Sequence, residues 1–326
     1  MKSSTKSSSI LALSGGIGGA KLALGLTHVM RSEKLMIVGN IGDDFEHYGL
    51  QISPDLDTLM YTLSGKADSE KGWGLADESW GFMQALEKLG GDTWFQLGDT
   101  DLATHLERTR RLREGESLSA ITVDFCRRFG IESSIIPVSN DPVPTIVKTP
   151  EGDLAFQDYF VREGCKPTVT GFRFQGADEA EPNPELLETL RNPLLQAVVI
   201  CPSNPFLSID PILAFPAVRE ALRNCHAPVI AVSPIIDGDA VKGPTAKIFD
   251  QLGYPVCATA VANHYRDFID GFILDIQDSA LVSQINKMGI SVELANTLMT
   301  DLNVKTELAR SVLDFSERCA KRNLSL

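Results

Sequence analysis

No apolar run in this chain reaches the roughly 18–20 residues of a membrane span. Nor is there a CxxC pair or a regular cysteine spacing: the six cysteines stand at 126, 165, 201, 225, 257 and 319, several inside apolar runs such as AVVICPSNP. That pattern predicts reduced, buried thiols in a cytoplasmic protein and argues against zinc. An excess of positive charge is also missing. The net charge of −13 argues against nucleic acid or an anionic membrane as the main partner. It leaves room for an anionic small substrate in a local basic or amide-lined pocket. After the opening MKSSTKSSS, glycines interrupt the apolar stretch almost at once, so no signal-type segment is read, and residues 1–9 are expected to be a disordered tail.

What is present is a globular composition, 43% hydrophobic and 22% charged over 326 residues, enough for one large domain or a domain with a substantial insertion. SILALSG reads as a buried strand ending in glycine, AKLALGLTHVM as a helix, and KLMIVGNIGDD as a second strand breaking into a polar loop. LQAVVICPSNP, APVIAVSPIIDG and GFILDIQD repeat the design of an apolar strand with a polar exit, alternating with helices such as PILAFPAVREALRN. This order predicts an α/β fold with a mostly parallel sheet and functional loops at the carboxyl ends of its strands. Residues 10–57 and 190–326 are assigned to that core. Residues 58–189 are expected to be an inserted, mainly helical region, from DESWGFMQALEKLG, LATHLERTRRLREG and LSAITVDFCRRFG, with a hairpin turning at PEGD.

Four stretches carry candidate chemistry. The first, LALSGGIGGAK, matches neither G-x-x-x-x-G-K-[ST] nor G-x-G-x-x-G, because Lys21 falls out of register with both. Gly15, Gly16, Gly18 and Gly19 nonetheless bring backbone N–H groups to a helix N-terminus, with Lys21 adding a charge, as an anion cradle requires. The same glycines also suit a tight strand-to-helix turn that needs them only for packing. In the second, NIGDDFEHYGLQISPDLDT, Asp43, Asp44, Asp55 and Asp57 cluster after a strand, as a hard divalent cation such as Mg²⁺ needs. Helix capping, with proline in the first turn of SPDLDT, accounts for the same residues. In the third, LGDTDLATHLERTRRLREG, Asp99 and Asp101 precede a helix that holds His105, Arg108, Arg110 and Arg111, although a lone helical histidine is more often structural and ERTRR suits a solvated face. The fourth is a pair of strand exits, CPSNPFLSIDPIL and VSPIIDGDAVKGP, which offer Ser203, Asn204, Pro205, Ser208, Lys242 and Gly243 to a base, sugar or phosphate.

Taken in order, GGIGGAK, NIGDDFEHYGLQISPDLDTLMYTLSG, LGDTDLATH, FQDYFV, CPSNPFLSIDPIL and SPIIDGDAVKGP resemble the 2-phospho-L-lactate transferase family of coenzyme F420 biosynthesis, from about residue 10 to the C-terminus. The resemblance implies a Rossmann-like core with an inserted helical region, and Mg²⁺ as cofactor. It implies a homodimer and transfer of a phospho-three-carbon acid from a guanosine diphosphate-linked donor to the ribityl hydroxyl of the deazaflavin Fo, releasing GMP. It places the guanosine diphosphate on the glycine loop and the SNPFLS exit, the metal near Asp43, Asp44 and Asp57, and the acceptor near Asp55, Asp57, Asp99, Thr100 and His105. Asp57, ahead of Asp43, is the expected catalytic carboxylate. Many members carry arginine where Thr100 stands, and threonine cannot supply arginine's fork of donors. Arg108 or another residue of the insertion is a candidate substitute, and an altered donor acid, such as phosphoglycerate in place of phosphoenolpyruvate or phospholactate, is the alternative.

Two other classes are weighed. A related group of gluconeogenesis and cell-shape factors shares this core and would make the chain a non-catalytic nucleotide-sugar-binding regulator. The SPDLDT carboxylates and GDTDLATH favour the transferase. A nicotinamide dehydrogenase is disfavoured, because the glycine register is wrong and no acidic residue closes the second strand. On the transferase reading, Asp57→Asn cuts turnover far more than it weakens nucleotide binding; near-normal turnover in that variant would remove Asp57 from the chemistry.

Overall fold

The structure is a computed structural model that describes residues 9–68, 70–240 and 243–323. The expected tail, Ser9 apart, lies outside the described residues, as does Lys242. In chain order the strands are β1 (Ile10–Ser14), β2 (Leu35–Gly39), β3 (Phe45–His47), β4 (Leu50–Ile52), β5 (Ser134–Pro137), β6 (Thr145–Thr149) and β7 (Gly152–Ala155). They continue as β8 (Gly171–Phe174), β9 (Ala197–Ile200), β10 (Val229–Val232), β11 (Ile235–Ile236), β12 (Asp239–Ala240), β13 (Gly271–Asp275) and β14 (Ser291–Ala295). Seven of them form one parallel sheet in the order β14-β13-β10-β9-β1-β2-β5.

Every residue of β1, β2, β9, β10 and β13 is buried, which is why these strands read as unbroken apolar runs and not as alternating patterns. Each large apolar side chain so buried contributes about 1.5–3 kcal/mol against exposure. Helices α1 (Gly16–Val29), α2 (Pro54–Leu63) and α5 (Leu118–Arg128) cover the sheet, with the C-terminal helix Leu302–Asn323 packed on α1, while of α3 (Gly81–Lys88) and α4 (Asp101–Arg113) the latter packs against β4 and α5. β14 does not stand out in the sequence: SVELA is too polar for a buried strand, and it sits at the sheet edge.

The α/β class and the Rossmann-like sheet expected from the sequence are what the structure shows. From β1 the chain winds outward through β2 to β5; it then crosses back to β9 and winds the other way to β14. The exits of β1 and β9 therefore diverge, leaving a crevice at the carboxyl edge between them. Within 58–189, the stretch expected to leave the sheet, Ser134–Pro137 returns to it as the edge strand beside β2. The remainder supplies α3, α4, α5 and a three-stranded antiparallel sheet in the order β7-β6-β8. PEGD does turn between β6 and β7, but the FQDYFV that follows coils into a π-type turn, Asp158–Arg162. The polar loop after β2 is a tight hairpin, β3 to β4, whose turn residues Tyr48 and Gly49 both have positive φ, 51° and 74°.

The glycines of the first loop have a packing cause. A Cβ on Gly18 would lie 2.2 Å from the Pro202 carbonyl oxygen, and one on Gly19 would lie 2.4 Å from Ser14 Oγ. The first turn of α1 thus touches the β9 exit with no room for a methyl group. Among the described residues no helix is long and apolar enough to cross a membrane. Gly18→Ala is expected to destabilise the fold by about 1–3 kcal/mol through this overpacking; an unchanged urea-denaturation midpoint would show that the exit loop yields freely.

Candidate active site

A cavity of about 550 Å³ opens at the crevice between the β1 and β9 exits. One side is the start of α1 (Gly15, Gly16, Gly18, Lys21) with Ser203, Asn204 and Ser208 of the β9 exit and Gly243 beyond β12. The floor carries Asp43, Asp55, Asp57 and His105. These twelve sequence-predicted residues converge. Gly19, Pro205, Asp44, Asp99 and Thr100 are not among the lining residues.

The reason for Asp99 and Thr100 is local. Asp99 accepts hydrogen bonds from Gly81 N (2.9 Å), Phe82 N (2.8 Å) and Ser79 Oγ (2.6 Å), so it caps α3, and those bonds hold its carboxyl below the usual range. Glu78 reciprocates by accepting from Thr100 N (2.8 Å) and Asp101 N (2.7 Å) at the start of α4. GDTD is a helix-capping joint, and Thr100 is exposed upon it. Arg108 offers no substitute for the absent arginine. It is 1% exposed and grips Asp57 with both terminal nitrogens, Nη1 at 3.1 Å from Oδ2 and Nη2 on Oδ1.

That fork decides what Asp57 can do. Burial pushes its carboxyl up while Arg108 and His105 oppose, and both oxygens are occupied. His105 stands between two carboxylates, its Nδ1 3.7 Å from Asp57 Oδ2 and its Nε2 3.2 Å from Asp101 Oδ2. The Nε2 contact is out of line for a hydrogen bond, so that nitrogen is buried without a partner. Asp101 is anchored by the Tyr61 hydroxyl; against the cost of burial, His105 and Tyr61 hold its carboxyl low. The ligand atoms of Asp57, Asp101 and His105 lie within 4.8 Å of one another, close enough to share a cation. Arg108 and Tyr61 already hold the two carboxylates.

Asp43 and Asp44 are different. Ser53 does not cap α2 with its hydroxyl; it donates instead to Asp44 Oδ2 (2.7 Å). Asp44 Oδ1 and Asp43 Oδ1 are buried with no hydrogen-bond partner. Burial raises both carboxyls well above the ordinary range; the charges of Asp55 and Asp44 add to this at Asp43. Two orphaned carboxylate oxygens in that state are what a small divalent cation relieves.

Asp55 ties the walls together. Its Oδ1 accepts from Gly16 N (2.6 Å) and its Oδ2 from Asn40 Nδ2 (2.9 Å). Asn40 also donates to the Leu207 carbonyl (3.3 Å). Burial pushes the Asp55 carboxyl up to about 6, with the two hydrogen bonds opposing. Lys21 Nζ donates to the Met299 carbonyl (3.2 Å). Ser203 Oγ donates to the Gly15 carbonyl (2.7 Å), and Asn204 caps the turn Pro205–Ile209 through Phe206 N and Leu207 N.

Sequence reading missed the aromatic wall. Phe95, Phe156 and Phe160 line the cavity with Trp73, which is 44% exposed between Gly72 and Gly74, both with positive φ. Lys71 Nζ lies 4.7 Å from the Trp80 ring and also lines the cavity. The GWG flanks were the available signal. Phe156 and Phe160 stack at 5.3 Å.

The family model for 2-phospho-L-lactate transferase CofD matches residues 10–312. The chain belongs to the 2-phospho-L-lactate transferase CofD family. It is 40% identical over 316 residues to a phosphoenolpyruvate transferase of Kitasatospora aureofaciens, covering 95% of this chain and 98% of that protein. Against a 2-phospho-L-lactate transferase of Methanosarcina mazei the identity is 38% over 304 residues, 93% of this chain and 99% of that one. A crystal structure of a UPF0052-family protein from Bacillus halodurans superposes with a TM-score of 0.62 at 13% identity, covering 96% and 99% of the two chains; it shares the fold. Membership makes this chain a transferase of the CofD type.

The pH dependence of stability follows from Asp55. Its folded carboxyl titrates at about 6 against an ordinary 3.8, so between those values the folded state binds more protons than the unfolded one. The contribution of this group therefore falls as pH rises from about 4 to about 6 and is level above. The wild-type minus Asp55→Asn difference in denaturation free energy should fall across that window; a flat difference would place the Asp55 titration elsewhere.

Proposed function

We propose that this chain transfers a phospho-three-carbon acid from a guanosine diphosphate-linked donor to the terminal ribityl hydroxyl of the deazaflavin Fo, releasing GMP. The acid is 2-phospholactate, phosphoenolpyruvate or 3-phosphoglycerate. The carrying observation is the cavity itself: a helix start and two strand exits on one side, an aromatic wall, and a carboxylate floor holding a buried histidine. The α1 start and the β9 exit suit a nucleoside diphosphate, because N–H groups and the helix dipole point to that edge. The aromatic side chains suit a flat heteroaromatic acceptor.

Asp43 and Asp44 would hold Mg²⁺, on the strength of their orphaned oxygens. Bound there, the ion supplies charge neutralisation to the diphosphate. Asp57 is withdrawn from the ligand set by Arg108 and serves instead, with Asp101, to orient His105. His105 receives the proton of the attacking hydroxyl, the oxygen displaces GMP in line at phosphorus, and positioning supplies most of the acceleration. Because Asp57 is also the counter-charge of a buried guanidinium, its loss costs about 3–5 kcal/mol of stability besides activity.

Incubation of the chain with Fo, each GDP-linked acid and Mg²⁺, followed by mass spectrometry, should yield GMP and one phospho-acid adduct of Fo. No GMP release with any of the three acids overturns the reading and favours a nucleotide-binding regulator. His105→Gln should lower kcat by about 10²–10⁴-fold with GDP affinity unchanged; near-normal kcat assigns the proton to another group.

A further inference from the structure

The short helix Thr245–Gln251 touches both sides of the cavity. At its start Thr245 lines the cavity and accepts from Asn204 Nδ2 (3.0 Å) on the β9 exit. Two residues on, Lys247 Nζ donates to three successive carbonyls, those of Cys165, Lys166 (3.0 Å) and Pro167 (3.2 Å). An ammonium has three N–H donors, and here each has an acceptor. Four residues further along the same helix face, Gln251 Oε1 accepts from Val169 N (2.9 Å). The clamped segment closes the turn that carries the aromatic wall: Cys165 N donates to the Tyr159 carbonyl (2.9 Å), and Phe156, Gln157 and Phe160 face the cavity. Gln157 Nε2 in turn donates to the Asp43 carbonyl oxygen (3.1 Å).

We infer that Lys247 is a positioning residue that couples the two halves of the site: a nucleotide on the β9 side fixes the helix Thr245–Gln251, and through the Lys247 clamp that helix fixes the aromatic wall for the acceptor. The inference rests on the proposed function for the identity of the two ligands. Coupling of this kind is reciprocal, so the acceptor tightens the nucleotide by the same factor. A lysine packed for structure alone would change stability and leave the two affinities independent.

Deazaflavin binding is titrated by its own fluorescence, with and without GDP, in the wild-type chain and in Lys247→Met. Amide hydrogen exchange over residues 156–169 is followed with GDP alone. In the wild type GDP should tighten deazaflavin about tenfold and slow exchange across that segment. In Lys247→Met both effects are lost while GDP affinity is kept. Lys247→Arg, which keeps a charged donor, retains part of the coupling. If Lys247→Met does not fold, Gln251→Leu weakens the other end of the clamp and should reduce the coupling in folded protein. Undiminished coupling in the folded variants, or independent binding of GDP and deazaflavin to the wild type, overturns the coupling alone. A wild type that binds neither ligand overturns the proposed function, and the coupling falls with it.

Discussion

Four segments of this chain meet at one carboxylate. Asp55 sits in the first turn of α2, accepts from the backbone at the start of α1, and accepts from Asn40 at the end of β2. Asn40 passes the connection on to the Leu207 carbonyl in the turn after β9. Remove that carboxylate and the Gly16 N–H and the Asn40 amide are left in a buried site without their acceptor, at a cost of about 1–3 kcal/mol each. The geometry of the cavity mouth depends on this junction, because both strand exits that frame it are held there.

The floor shows how a fold can keep negative charge together. Asp43, Asp55 and Asp57 are buried, Asp44 beside them is half-buried, and burial raises every one of the four carboxyls. Two are satisfied by the protein itself, Asp55 by N–H donors and Asp57 by a buried guanidinium. The other two keep oxygens without partners. The four thus divide by partner, a distinction that a count of aspartates in NIGDDFEHYGLQISPDLD merges.

The helices between α2 and β5 support one another. Asp99 and Glu78 exchange caps between α3 and α4, and that exchange sets the start of α4, from which His105 and Arg108 project toward Asp57. A motif that looks chemical, GDTD, is an assembly device one step removed from the cavity. Asp101, its last member, alone reaches the lining.

The sheet strands that are apolar throughout, the helix after the glycine loop, the hairpin turn at PEGD and the convergence of the strand exits are legible in the sequence alone. It marks them because burial on both faces and glycine in tight turns leave local traces. It also determined family membership, through motifs kept in order. It left unmarked the strand β14, the return of Ser134–Pro137 to the sheet, the aromatic wall and the partner of each aspartate. Those were decided by tertiary structure. Whether a carboxylate faces an arginine, an amide or a void depends on residues up to 51 positions away, as with Asp57 and Arg108. A local pattern carries no trace of such a distance.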